Sequence, residues 1–197
     1  MKRFFDMVVS LCGIILFFPI FVLVAFLIKL DSPGPVFYRG VRSGRFGKLF
    51  YIYKFRTMKP GMEKSGGDTT ALCDPRITNV GRFLRKYKID ELPQLINVLK
   101  GEMSLVGPRP ELPVYTKRYT AEERCILDVK PGITDFSSIE FCSLDERVGQ
   151  VDADKVFEET ILPRKNELRV KYVKTQSFLT DVLIIFKTFV AIFKKAK

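Results

Sequence analysis

At 197 residues the chain is long enough for one domain with a real hydrophobic core and short for two. It contains no histidine, which excludes Ser-His and Cys-His nucleophile pairs, HExxH zinc sites and an imidazole base, so acid–base or nucleophilic work falls to carboxylates, Lys, Tyr or Cys. A net charge of +11 calls for an anionic partner (nucleic acid, a membrane surface or phosphorylated substrates), and Cys12, Cys73, Cys125 and Cys142, with no CxxC spacing, exclude a zinc ribbon or dense disulfide framework and point to a reducing cytosol.

After MKRFFD the chain runs without a charge from Met7 to Ile28. About 22 residues of helix measure roughly 33 Å, enough to cross a hydrocarbon core of about 30 Å. KLDSPGP follows with no small-residue cleavage site, so a cleaved signal peptide is not expected. Pro19, near the middle, has no N–H and its ring clashes with the carbonyl of Ile15, so the helix is expected to kink or break there. Two geometries follow: a kinked spanning helix, or a re-entrant one that returns to the side it came from. Both flanks are basic, Lys2 and Arg3 upstream and Lys29, Arg39, Arg42, Arg45 and Lys48 downstream. Two cytoplasm-preferring ends favour re-entrance, while the spanning form stays open.

VFYR and LFYIYKF, rich in aromatic and β-branched residues and separated by Gly-marked turns, predict a hairpin or looped strand pair. Residues 59–75 read as a polar, Gly-rich loop, and helices are expected around Ile77–Tyr87 and Glu91–Lys100. Loop and strand character returns from Lys130 to Ile139, and residues 154–173 look helical with Pro163 as an interruption. The fold class expected is α/β in the mixed α+β sense: a cytoplasmic domain over residues 31–197 carried on a membrane segment at residues 1–30. In the C-terminal run a helical wheel puts Phe178, Leu179, Val182, Leu183, Ile185, Phe186, Phe189, Val190, Ile192 and Phe193 on one arc, with Thr180, Lys187, Thr188, Lys194 and Lys195 on the other. Such a helix suits the headgroup plane of a bilayer, or else docks its apolar face on the core.

The run DELPQLINVLKG carries the chemistry. Leu92, Leu95, Ile96 and Leu99 form one apolar face, Gly101 supplies the stop, and Pro93 is tolerated in the first turn. Asp90 reads as the N-cap and Glu91 as a first-turn acid complementing the helix dipole. The same geometry lets the Asp90 carboxylate project past the helix end toward a phosphate held by free N–H groups, as a nucleophile facing a partly neutralised phosphorus. Lys54 and Arg56 of YKFRTM, Arg85 and Lys86, and Arg109 of GPRP are candidate clamps on pyrophosphate oxygens, with Pro110 and Pro108 restricting the Arg109 backbone.

YKFRTM (53–58), DELPQLINVLKGEMSLVGPRP (90–110) and PGIT (131–134), behind a Pro-interrupted apolar helix, resemble the bacterial sugar transferase family, the monotopic phosphoglycosyl transferases acting on polyprenol phosphates. The resemblance covers nearly the whole chain, in order, and is nearest to the small members without a preceding transmembrane bundle. It implies transfer of sugar-1-phosphate from a nucleoside diphosphate sugar, usually a UDP-sugar, to undecaprenyl phosphate, giving a polyprenyl diphosphosugar and UMP and initiating glycoconjugate assembly. It implies a ping-pong route through a covalent Asp90 phosphosugar, with Mg²⁺ beside Asp90 and Glu91 in orientation or metal support. It also implies a re-entrant helix broken at Pro19, a place on the cytoplasmic face of the bacterial inner membrane, no nucleic-acid partner, and downstream glycosyltransferases as partners. Two departures stand out. Phe18 precedes the proline where members often have Ser, and DFSSIEF with Asp135 follows PGIT where many have Gly and an Ala-Gln run; that loop is expected to contribute to donor selection.

Two rivals remain. A metal-dependent glycosyltransferase releasing UDP would use the DxD at Asp152 and Asp154, although Asp154 also reads as a helix N-cap. A non-enzymatic, membrane-anchored basic protein explains the charge but leaves the Pro-Arg-Pro loop without a purpose.

Overall fold

The computed structural model describes residues 1–62, 74–142 and 153–196. Residues 59–62 and 74–75 of the expected polar loop are described; its middle, and Asp152, lie outside the described residues.

Helix α1 runs unbroken from Lys2 to Asp31, with Pro19 inside it. The expected break into two helices is therefore not seen. Proline deletes a single N–H donor, and hydrogen-bonded turns on both sides carry the helix across that gap. Both ends of α1 are fastened to the rest of the molecule. At the start, Lys2 pairs with Asp181, Arg3 donates to the Val98 and Leu99 carbonyls, and Asp6 accepts from Ser104 Oγ at 2.8 Å. At the end, Val24 and Ile28 are buried with Phe55 and Leu84, and Asp31 accepts from the Val80 N–H at 3.0 Å. Between them Leu11, Ile15, Leu16, Phe18, Val22, Leu23 and Phe26 stand exposed.

Strands β1 (Phe37–Ser43) and β2 (Leu49–Phe55) form the expected antiparallel hairpin, in register from Phe37 opposite Phe55 to Ser43 opposite Leu49. Ile52 and Phe50 point into the core beside Val98 and Met103. Helix α2 (Asn79–Lys86) is capped by the Thr78 hydroxyl, which accepts from the Gly81 N–H at 3.0 Å. Gly81 is required there, because a Cβ would lie 2.2 Å from the Thr57 carbonyl oxygen. Helix α3 (Gln94–Lys100) docks on β2 through the fully buried Asn97, which accepts from the Tyr53 N–H (2.9 Å) and donates to the Tyr51 carbonyl (2.8 Å). One side-chain amide thus takes the place of a third strand.

Strands β3 (Ser104–Val106) and β4 (Gly132–Thr134) pair in parallel, Ser104 with Gly132 and Val106 with Thr134. The short β3 was not expected; three residues carry too little alternation to be read as a strand. Parallel pairing brings the GPRP loop after β3 beside the Asp135 turn after β4. The GPRP loop touches β4 backbone to backbone, since a Cβ on Gly132 would come within 2.1 Å of the Gly107 nitrogen. Short helix α4 (Pro113–Thr116) follows the first, and α5 (Phe136–Glu140), capped by Asp135, starts directly from the second.

Helix α6 (Ala153–Val156), a π-helical stretch (Phe157–Ile161) and α7 (Leu162–Thr175) fill the 154–173 region, with Pro163 in the first turn of α7. Helix α8 (Phe178–Ala196) docks through a mixed seam: Ile184 is fully buried in the core with Ile185 packed against it, Asp181 accepts from Tyr172 Oη at 2.7 Å, and Thr188 Oγ1 lies 2.6 Å from Thr134 Oγ1. Most of the expected apolar arc faces out, with Leu179 78 %, Phe193 69 % and Phe186 66 % exposed.

Candidate active site

Lys88 adopts a left-handed backbone (φ 57°), a 3₁₀ turn spans Ile89–Glu91, and α3 begins only at Gln94. Asp90 is therefore not the N-cap of α3; Pro93 holds that position. The N–H groups of Leu92, Leu95 and Ile96 each bond three residues back, to Ile89, Leu92 and Pro93, so the segment runs as 3₁₀ turns before the regular helix. The tight turn carries Asp90 inward. It is 6 % exposed, and among the described residues its Oδ1 has no hydrogen-bond partner. Gln94, one turn on, is fully buried with both amide atoms also unpartnered among the described residues. Sequence reasoning passed over Gln94, although a polar residue among Leu92, Leu95, Ile96 and Leu99 was the signal available.

Glu91 has the opposite environment. Both Arg109 guanidinium nitrogens donate to it, Nη1 to Oε2 at 3.0 Å and Nη2 to Oε1, and Lys54 Nζ lies 2.9 Å from Oε1. The protonation states diverge accordingly. Burial pushes the Asp90 carboxyl up and the neighbouring Glu91 charge adds to this, against the weaker pull of Lys54, Lys88 and Arg85. Burial also acts to raise Glu91, but Arg109, Lys54 and Lys88 together hold it well below the usual carboxylate range. Burial lowers Lys54, with Glu91 opposing. Arg109 stays protonated against burial because Glu91, Asp135 and Asp90 surround it. One carboxylate is thus saturated by cations, and its neighbour is buried with a free oxygen.

Arg109 is set by a second group of contacts. Its N–H donates to Asp135 Oδ2 at 3.1 Å, and its Nη1 also donates to the Ile133 carbonyl at 3.0 Å. Pro110 is buried beside it. Lys54 and Arg109 therefore meet at the acidic pair as expected. Arg85 donates through Nε to Thr57 Oγ1 at 2.9 Å and stands near enough to act on the Asp90 charge. Lys86 is exposed, with its Nζ 5.5 Å from the Tyr87 ring, away from the pair.

Arg56 does not join them. It is 4 % exposed and donates to the Ser32 carbonyl (2.7 Å), the Pro33 carbonyl (2.8 Å) and Ser32 Oγ (2.9 Å), closing the C-terminal end of α1. The carbonyls that end a helix attract a guanidinium, and here they lie nearer than the acidic pair. Asp135 of the DFSSIEF segment is fully buried, caps α5 and holds Arg109, while Phe136, Ser138, Ile139 and Glu140 of the same segment remain partly exposed. Asp154 lies in the first turn of α6.

Among the described residues no three His, Cys, Asp or Glu side chains gather as a metal cage. The donor set still fits Mg²⁺, which commonly takes one or two carboxylates and completes its shell with water and substrate phosphate. The buried Asp90 carboxylate, with Oδ1 unpartnered among the described residues, is such a carboxylate and could hold the ion through its other oxygen.

Comparison with known proteins agrees with this geometry. The bacterial sugar transferase family matches residues 1–195. The uncharacterized sugar transferase EpsL of Bacillus subtilis (strain 168) is 40% identical over 194 residues, covering 95% of this chain and 85% of that protein. A UDP-N-acetylgalactosamine-undecaprenyl-phosphate N-acetylgalactosaminephosphotransferase of Aeromonas hydrophila is 38% identical over 190 residues, 95% of this chain and 42% of its own length. A UDP-glucose:undecaprenyl-phosphate glucose-1-phosphate transferase of Escherichia coli (strain K12) is 37% identical over 196 residues, 95% of this chain and 39% of its own. The chain thus spans less than half of these last two relatives. A match over almost every residue, carrying the acidic pair and the Pro-Arg-Pro loop in one site, places the chain in the bacterial sugar transferase family of enzymes.

Proposed function

We propose that the protein transfers sugar-1-phosphate from a UDP-sugar to undecaprenyl phosphate through a covalent Asp90 intermediate. The observation that carries this reading is the contrast within the acidic pair: Asp90 is buried with a free oxygen, while Glu91 is saturated by Arg109 and Lys54. A carboxylate with no fixed partner in a dry site is a competent nucleophile, and one locked by two cations is an organiser. Asp90 Oδ1 attacks the phosphorus that bears the sugar. The P–O bond to the UMP portion breaks, and UMP leaves with the bonding pair. An oxygen of undecaprenyl phosphate then attacks the same phosphorus and releases the Asp90 carboxylate. This acceptor needs little help from a base, since a phosphate monoester with second pKa near 6 is largely dianionic at neutral pH. Lys54 and Arg109, prepositioned by Glu91, neutralise the diphosphate oxygens as charge builds. Mg²⁺ held at Asp90 would supply further charge neutralisation on those phosphates.

The anchorage of α1 supports a re-entrant, monotopic attachment. A spanning helix leaves its ends on opposite faces of a core about 30 Å thick, whereas Lys2 and Asp31 both bond to the same catalytic body. Basic flanks favour the cytoplasmic face for that body, and the outward apolar arc of α8 supports a second contact with lipid. Relatives named for N-acetylgalactosamine and for glucose are equally similar, 38% and 37% identical, so the donor sugar is assigned by experiment.

The test is nucleotide release. Protein in nanodiscs is given Mg²⁺, undecaprenyl phosphate and a panel of UDP-sugars. Lipid-dependent UMP from one donor is expected, and Asp90→Asn lowers turnover by at least about 10³-fold. Release of UDP, or turnover retained in Asp90→Asn, overturns the reading.

A further inference from the structure

Within the Pro-Arg-Pro loop, Arg109 carries the one backbone N–H, because Pro108 and Pro110 have none. That N–H is donated to Asp135 Oδ2 at 3.1 Å. Asp135 is itself immobilised. It is fully buried, and its carboxylate accepts from Ser137 Oγ at 2.8 and 2.9 Å, from the Ser138 N–H at 2.6 Å and from Ser138 Oγ at 2.7 Å. A carboxylate with four donor groups around it has one orientation. The parallel pairing of Val106 with Thr134 sets the Pro-Arg-Pro loop at the height of the Asp135 cap, and the Gly107–Gly132 contact leaves no room for a side chain between that loop and β4. On the far side of the loop the Arg109 guanidinium reaches Ile133 O and Glu91.

We propose that Asp135 is a positioning residue for the reaction: through the Arg109 backbone it aims the guanidinium at Glu91 and at the donor diphosphate. Asp135 touches no substrate in this arrangement. Its negative charge also sits behind Arg109 and helps keep the guanidinium charged in a buried site. The inference rests on the proposed function where it names a diphosphate as the ligand of Arg109. The link from Asp135 to Arg109 stands on the geometry alone.

The test compares Asp135→Ala, Asp135→Asn and Ser138→Ala in wild-type and Arg109→Lys backgrounds. The readouts are kcat and KM for the donor, thermal unfolding, and the arginine guanidinium NMR signal assigned to Arg109 by its loss in Arg109→Lys. Loss of one hydrogen bond to a charged group corresponds to about tenfold, so Asp135→Ala raises KM for the donor about tenfold. Asp135→Asn, which keeps the acceptor oxygen, recovers most of that loss, and Ser138→Ala changes KM less than about twofold. In Arg109→Lys the alanine change costs clearly less than in the wild type, because the side chain being aimed has been removed. An equal KM penalty in both backgrounds, or an unshifted Arg109 signal in Asp135→Ala, overturns the proposal. The NMR arm separates this from the proposed reaction. If the wild type turns over no UDP-sugar, a shifted Arg109 signal still upholds the positioning link, and an unshifted one removes it.

Discussion

Arg56 offers the sharpest separation between a phosphate clamp and a structural clasp. In the structure it is 4 % exposed and makes hydrogen bonds of 2.7, 2.8 and 2.9 Å to Ser32 O, Pro33 O and Ser32 Oγ. Ser32 is half-buried and Pro33 exposed, so water can replace part of what Arg56 provides. At about 1 kcal/mol net per bond, plus a little for the packed stem, Arg56→Ala destabilises by about 3 to 4 kcal/mol. For a chain of this size that lowers Tm by roughly 10 °C. Arg56→Lys keeps the charge but loses the planar fork that bridges two carbonyls, and it falls nearly as far. KM for the donor, measured by UMP release well below the new Tm, stays within about twofold in both variants because the guanidinium is engaged by Ser32 and Pro33. Thermal unfolding in nanodiscs together with initial rates decides the matter. An unchanged Tm with a KM raised tenfold or more would refute the clasp and restore Arg56 as a phosphate ligand.

Three other outcomes are expected. Asp90→Asn raises Tm near neutral pH: a carboxyl whose folded pKa lies above its unfolded value costs stability once pH rises through that window, so the gain shrinks when unfolding is measured near pH 4. Glu91→Gln shows the opposite sign. Its lowered folded pKa contributes stability above the unfolded value that is lost as pH falls, so the variant loses about 2 to 4 kcal/mol at neutral pH and less in acid, read by chemical unfolding at several pH values. Phe186→Glu with Phe189→Glu, both on the exposed arc of α8, reduces flotation with liposomes while leaving near-UV circular dichroism unchanged.

Much of the site was legible because its residues are close in sequence or chemically conspicuous. Two adjacent acids after a basic run, and an arginine between prolines, identify themselves, and Lys54, Arg109 and the acidic pair do meet. Arg56 was misread for a tertiary reason. It pairs with Val36 through its backbone, and that places it against the end of α1, a neighbour no local pattern announces. At Pro19 the break into two helices is not seen, since proline removes one donor and the helix around it keeps many intact ones. The Asp90 cap failed by a single turn, because the left-handed Lys88 and a 3₁₀ turn precede the regular helix and carry the acid inward. Strand β3 and the partner of Arg109 were invisible for a common reason: both depend on a parallel pairing between segments far apart in the chain.

The double fastening of α1 has a further consequence under the membrane attachment and reaction proposed above. A catalytic body tied to its membrane helix at one end could swing, and the height of its reactive atom above the lipid would vary from moment to moment. With Lys2 held by Asp181 and Asp31 by the Val80 N–H, that hinge is removed, so on the proposed attachment Asp90 would keep a constant altitude over the bilayer. A lipid-borne phosphate would then need to search only in two dimensions, sliding laterally until it reached the buried carboxylate, and a soluble donor alone would approach from the third.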